Sequence, residues 1–141
     1  MAHASLVDVL SRELEAECQL PLAWYEVLLH LNWAPERRLR MRELAASVLL
    51  SKSGITRLVD RMEAAGLVER VSCPRDRRGS YAVLTEAGRR SFKKAGPIHL
   101  RGVSEHFAAH VSDAEARTLA NLLWRIAEQG SQGPRETGQG C

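Results

Sequence analysis

The chain has 141 residues, with 20 Lys and Arg against 17 Asp and Glu and a formal net charge of +3. That length suits one domain with a sizeable core, and the mild basic excess permits a nucleic-acid partner without demanding one. Met1–Leu10 lacks the charged start and apolar run of a secretory signal, and no apolar stretch approaches spanning length. Cys18, Cys73 and Cys141 form neither a disulfide framework nor a metal-ligand spacing, so a reduced, cytoplasmic protein without a membrane segment is expected.

Leu6, Val9, Leu10 and Leu14 make an apolar stripe on a first helix that ends before Pro21. Leu22–Trp33 is a second, very apolar helix. Ala34–Arg40 reads as a turn closing on a very short strand at Leu39, and Arg42–Val48 as a short helix. Between Ser51, suited to cap a helix start, and Gly66, suited to end one, Ile55, Leu58, Val59 and Met62 recur at helical spacing. The opposite face carries Ser53, Arg57 and Asp60, flanked by Lys52, Thr56 and Arg61. Val68–Ser72 and Tyr81–Leu84 read as paired strands, whose connection from Cys73 to Ser80 puts Arg75, Arg77 and Arg78 at the tip of a ribbon. Thr85 caps a long helix, Glu86–Ala109, kinked or interrupted at Gly96-Pro97. Ser112-Asp113-Ala114-Glu115 is a capping box, and the helix it opens carries a seam of Leu119, Leu122, Leu123 and Ile126. Glycine, glutamine and proline dominate from Gly130 to Cys141, which predicts a frayed tail.

A polar-faced helix joined to a basic ribbon fits duplex DNA: the helix suits the major groove and the ribbon an adjacent, narrower one. Placement matters more than net charge here, because Arg57, Arg61, Arg70, Arg75, Arg77 and Arg78 fall in one segment. Ser51 and Lys52 sit at the helix start, where backbone N–H groups favour phosphate or groove contact. Ser53, Thr56 and Arg57 are candidates for base edges, and Arg61, a turn further on, for the DNA backbone. Asp60 would repel phosphate and is expected to partner a nearby arginine. The competing class is a protein-interaction module whose basic ribbon grips an acidic partner, without specific DNA binding; such a module has no need of a polar groove-reading face.

The run from Leu50 to Glu63, followed by Gly66-Leu67-Val68, resembles the recognition helix of the MarR family of winged helix-turn-helix transcription regulators. Asp76-Arg77-Arg78 with Val83-Leu84-Thr85 and Gly88 resembles that family's wing, and Glu43-Leu44-Ala45 its supporting helix. The likeness is strong over about residues 20–90; Met41 departs from it, standing where a polar N-cap is more usual. The resemblance implies a mainly α (α+β) fold. It would be a single domain over 1–130, with a DNA-binding lobe at about 36–90, dimerisation helices at about 3–19 and 98–129, and a flexible tail at 131–141. It implies a homodimer, a repressor bound to a palindromic operator, whereas the apolar terminal helices alone would equally allow packing within one subunit. In the wing it makes Arg78 the minor-groove residue, oriented by Asp76, with Arg75 and Arg77 on phosphates. Effectors of such proteins bind where the dimerisation helices meet the DNA lobe. Trp24, Tyr25, His30 and Trp33 should border that region and would suit a small aromatic ligand, a role that competes with plain core packing.

Catalysis finds no support. None of the five histidines neighbours a nucleophile motif, and no cofactor is implied. His106 and His110, four apart with Glu105 beside them, could begin a metal site, with His99 seven residues before His106 on the same face; surface or interface histidines are the commoner case, so no metal is assigned. Cys18 lies later than the peroxide-sensing position of some relatives, with no residue near it in sequence to lower its pKa, and Cys73 reads as a strand residue.

Overall fold

The computed structural model describes residues 1–73 and 76–130, the side chains of 73, 76–78 and 129–130 excepted. Along the chain come α1 (Ala2–Cys18), α2 (Leu22–Trp33), β1 (Arg38–Arg40), α3 (Met41–Ser47), α4 (Lys52–Ala64), β2 (Val68–Cys73), β3 (Asp76–Leu84), α5 (Glu86–His106) and α6 (Asp113–Gly130). Short 3-10 turns occupy Pro35–Arg37 and Ala108–His110. Because α2 is apolar on nearly every side, it lies at the centre, burying Tyr25, Val27, Leu28 and Leu31. Around it close Leu14 of α1, Leu44 of α3, the apolar face of α4, Val68 and Ala82 of the sheet and Ala95 of α5.

Helix α4 buries Ile55, Leu58, Val59 and Met62. Each such side chain contributes about 1.5–3 kcal/mol on leaving water, far more than any surface contact, so the rotation of α4 about its axis is fixed and its polar face must point outward. Strands β1, β3 and β2 form an antiparallel sheet in that spatial order, with Leu39 opposite Ala82 and Val71 opposite Tyr81. The ribbon is longer than the sequence suggests. Strand β3 begins at Asp76 rather than Tyr81, leaving only residues 74 and 75 between the strands. Register slips between Ser72, opposite Ser80, and Cys73, opposite Asp76, so Arg77, Arg78 and Gly79 fall between paired positions. An irregular ladder of this kind has no clean alternation to read from sequence.

Two junctions hold α4 in place. In the turn from α3, Leu50 N–H donates to Ala45 O at 2.9 Å, and Leu49 takes a left-handed φ of 55° with 91 % of its surface exposed. At the far end Gly66 has a φ of +73°. Thr85 Oγ1 donates to Gly66 O at 2.7 Å and accepts from Gly88 N–H at 3.0 Å, while Thr85 N–H donates to Leu67 O at 3.2 Å. A Cβ on Gly88 would lie 2.0 Å from Leu67 O, so only glycine lets α5 start this close to the end of α4.

The proline at 97 does not interrupt α5, which runs unbroken to His106 and ends there rather than at Ala109. Helix α1 packs along it, held by Arg101 to Glu17 and by His106 Nε2 to Glu13 Oε1 at 2.6 Å. Tyr25 stacks on Phe92 at 5.5 Å between centroids and meets His99 at 4.7 Å. The last helix behaves differently. Its capping box forms, Glu115 N–H donating to Ser112 Oγ at 3.3 Å and Ser112 N–H to Glu115 Oε2 at 2.8 Å. Yet Leu119, Leu122, Leu123, Trp124 and Ile126 are all exposed, and α6 lies against neither α1 nor the body of the subunit. Packing of the terminal helices on one another within one chain, the plainer of the two sequence expectations, is therefore not what the described residues adopt.

Two stability predictions follow from these contacts. Leu49→Gly relieves an unfavourable left-handed conformation worth about 1–2 kcal/mol and sacrifices no packing, against about 0.5–1 kcal/mol of extra unfolded-state entropy. The variant should melt about 2–4 °C higher by circular dichroism. Burial lowers the pKa of His99 below the ordinary 6.5, against an opposing pull from Glu26. On acidification the unfolded chain therefore takes up this proton first: His99 has no effect above about pH 6.5 and destabilises the fold below it. His99→Phe keeps a ring beside Tyr25 and removes the titration. Wild type should lose more thermal stability than the variant between about pH 7 and 5; parallel curves would rule out His99 as the source.

Candidate nucleic-acid interface

The outward face of α4 is built by its cap. Ser51 Oγ accepts from Gly54 N–H at 3.1 Å and meets Ser53 Oγ at 3.2 Å, which fixes the helix start and orders two hydroxyls there. Lys52, Ser53, Arg57 and Arg61 are exposed along this face. Among the described residues Lys52, Arg57 and Arg61 have no acidic partner, so their charge is available to a polyanion. Thr56 is less available, because its hydroxyl donates to Lys52 O at 2.8 Å and the residue is half-buried.

The acids on the same helix look inward to the ribbon. Asp60 pairs with Arg70 of β2, and Glu63 Oε1 accepts from Arg70 N–H at 2.8 Å. Asp60 is thus the structural partner its sign suggests, and Arg70 belongs to the scaffold: it ties the wing to the recognition helix. Asp76, Arg77 and Arg78 lie on the backbone of β3 at the ribbon's outer end, and Arg75 and the tail at 131–141 fall outside the described residues.

A cleft of about 540 Å³ opens between α3, the start of α4 and β3. Its floor is apolar, with Met41, Ala45 and Ile55, and Arg40, Arg42, Lys52 and Ser80 stand around it. The guanidinium of Arg40 lies 5.5 Å from the Tyr81 ring centre and that of Arg38 5.0 Å. Helix α3 starts at Met41, with Arg40 as its cap residue; Glu43 Oε2 accepts from Arg40 N–H at 3.0 Å, so the missing polar N-cap is replaced from within the first turn. Sequence reasoning passed over Arg40 and Arg42. For Arg40 the signal is the alternation Arg38-Leu39-Arg40, which sets Arg38 and Arg40 on the same side of a strand; Arg42, on α3, has no such signal.

The four residues proposed for an effector are not brought together. Tyr25 is buried against Phe92 and His99, Trp24 packs partly on the core, His30 is half-buried and Trp33 is 78 % exposed. At about 100° per residue Trp24 and Trp33 project from opposite sides of α2, so they cannot form one wall. None of the four lines the cleft, or either of two shallower hollows on α4. The histidines also separate. His99 turns to Tyr25 and His110 sits on a 3-10 turn, while ligand-type atoms of Glu13, Glu105 and His106 lie within 4.8 Å of one another, two of them already hydrogen-bonded. Cys18 Sγ donates to Leu14 O at 3.1 Å, and burial pushes its pKa up, which disfavours the reactive thiolate.

A capped helix with free cations, a supporting helix and a β-ribbon pinned beside it define a winged helix-turn-helix DNA-binding protein. Comparison with known proteins gives the family. The model of the MarR family matches residues 19–79. Sco3205, a MarR family transcriptional regulator from Streptomyces coelicolor solved in complex with DNA, is 33% identical with a TM-score of 0.87, over 99% of this chain and 86% of that one. AbsC, a MarR family regulator from the same organism, is 36% identical with a TM-score of 0.79, over 90% and 88%. PcaV, also from S. coelicolor and solved with its natural ligand, is 30% identical with a TM-score of 0.67, over 77% and 74%. Two curated relatives, from Thauera aromatica and Bacillus subtilis, are matched over 54% of their own length. The chain belongs to the MarR family of transcription regulators, which are not enzymes.

Loss of a base-reading side chain and loss of a backbone contact have different signatures. Arg57→Ala should reduce preference for a site selected from random DNA over random duplex by about 10–100-fold, whereas Arg61→Ala should weaken both alike and lower the salt slope by about one. Anisotropy titrations against the two duplexes at several salt concentrations measure both effects.

Proposed function

We propose that the protein is a homodimeric, cytoplasmic repressor that binds a palindromic operator and is released by a small apolar or aromatic ligand. The observation that carries the DNA-reading part is the row of exposed cations on α4, Lys52, Arg57 and Arg61, which have no acidic partner among the described residues, beside a wing tied to the same helix. Ser51, Ser53 and Thr56 complete the groove-facing set, and the wing supplies Arg78 to the minor groove, with Asp76 to orient it and Arg75 and Arg77 on phosphates. The exposed apolar seam of α6 supports the dimer: a helix leaving five large apolar side chains in water needs a partner, and a second copy offers the same seam. A two-fold pair would set its recognition helices about 34–36 Å apart, one turn of duplex. The ligand part rests on PcaV's being solved with its natural ligand and on the aromatic residues of α2, with Trp33 the one most open to contact.

Selection of bound sequences from random duplex DNA tests this reading together with sedimentation. The expected outcome is an inverted repeat with half-sites one helical turn apart and a species of twice 15.7 kDa. A monomer that binds tightly to a site without a repeat would overturn it. For the ligand, tryptophan fluorescence should report a binder whose affinity falls about 5–150-fold when operator is present, the same factor by which it weakens DNA. A tight binder that leaves operator affinity untouched would remove the release step.

A further inference from the structure

We infer that the cleft between α3, the start of α4 and β3 is the seat of a DNA-backbone phosphate, with Arg42 as its principal charged contact. The inference rests on the DNA-binding reading and adds to it a second contact region, outside the recognition helix and the wing tip. The argument is topological. If α4 occupies the major groove and the ribbon the neighbouring minor groove, the sugar-phosphate strand that separates those grooves must cross the gap between helix and ribbon. That gap is this cleft: Lys52 stands on the α4 side, Ser80 on the β3 side and Arg42 on the α3 side.

Charge and shape agree with this occupant. Arg42 and Lys52 are exposed, and among the described residues neither has an acidic partner. Arg40 is steered toward the sheet by the Tyr81 ring, so its cation is held beside the cleft. Glu43, the acid nearest in sequence, is committed to the N–H of Arg40. A phosphate crossing here meets two unpaired cations and the Ser80 hydroxyl, and the apolar floor of Met41, Ala45 and Ile55 offers a surface for the adjoining deoxyribose. The contact carries no base information; it sets how deeply helix and wing sit in their grooves.

The test uses the full-length protein, the selected operator and random duplex, over about 50–200 mM salt. Arg42→Ala should weaken both duplexes by about the same factor, near tenfold, and lower the salt slope by about one, while Arg42→Lys keeps most of the affinity. A neutral methylphosphonate at the single phosphate between the major-groove half-site and the flanking minor groove should weaken wild type by a similar factor. It should cost Arg42→Ala little more, since the two changes remove the same contact. Unchanged affinity and slope in Arg42→Ala would overturn the seat, as would losses that simply add. Arg57→Ala distinguishes the two levels: if it destroys site preference while Arg42→Ala does nothing, the seat is wrong and the DNA reading stands. If wild type binds no duplex, both fall.

Discussion

The burial of Ile55, Leu58, Val59 and Met62 is the constraint on which the rest of the molecule depends. A helix of 13 residues has no intrinsic reason to keep its polar side outward, and alone in water would be marginal. Four apolar side chains locked into the core, against α3 and the sheet, remove that freedom, and the orientation of Lys52, Ser53, Arg57 and Arg61 follows as a consequence. None of these polar residues contributes appreciably to the fold. Their value lies in being held at fixed positions by the buried face of the same helix.

What that burial fixes is passed on through two polar junctions. The Asp60–Arg70 pair and the Glu63 contact to the Arg70 amide make the ribbon move with the helix. The pair is partly exposed, so its contribution to stability is modest, but its direction matters more than its strength. Thr85 links the last turn of α4 to the first turn of α5 through Gly66 and Gly88, at a distance no side chain on residue 88 would permit. Helix α5 also carries Phe92 and His99 against Tyr25, and Arg101 and His106 against α1, so the helix that abuts the end of α4 is itself anchored to α2 and α1.

Much of this was legible in the residues because it depends on local spacing. The bounds of α2, the capped start of α4 and the box at Ser112–Glu115 follow from apolar periodicity and from hydroxyls placed one residue before a helix. The family resemblance rested on the same stretch, and the fold agrees with it. What sequence did not disclose is where distant residues meet. Tyr25 was grouped with its helix neighbours Trp24, His30 and Trp33, yet its contacts are Phe92 and His99, some seventy residues on. Arg40 and Arg42 drew no notice because the cleft they border exists only once β3 folds back across α3. The length of β3 was underestimated because its outer half, Asp76 to Ser80, is charged and contains glycine, and its pairing slips.

Helix α6 marks the point at which one subunit ceases to explain itself. Its start is well capped and its sequence strongly two-faced, so local energetics favour the helix; its apolar face nevertheless stays in water. Within the described chain α1 lies along α5, and the seam of α6 is left exposed. A face of that kind is tolerable only if covered from outside. A two-fold partner does this with the fewest assumptions, because the covering surface is the one already present. In the proposed dimer the two sets of cations would become a pair at fixed separation. Each set alone would bind any duplex through its phosphates; a pair held at fixed separation, as in the proposed dimer, would favour a site with two half-sites in register.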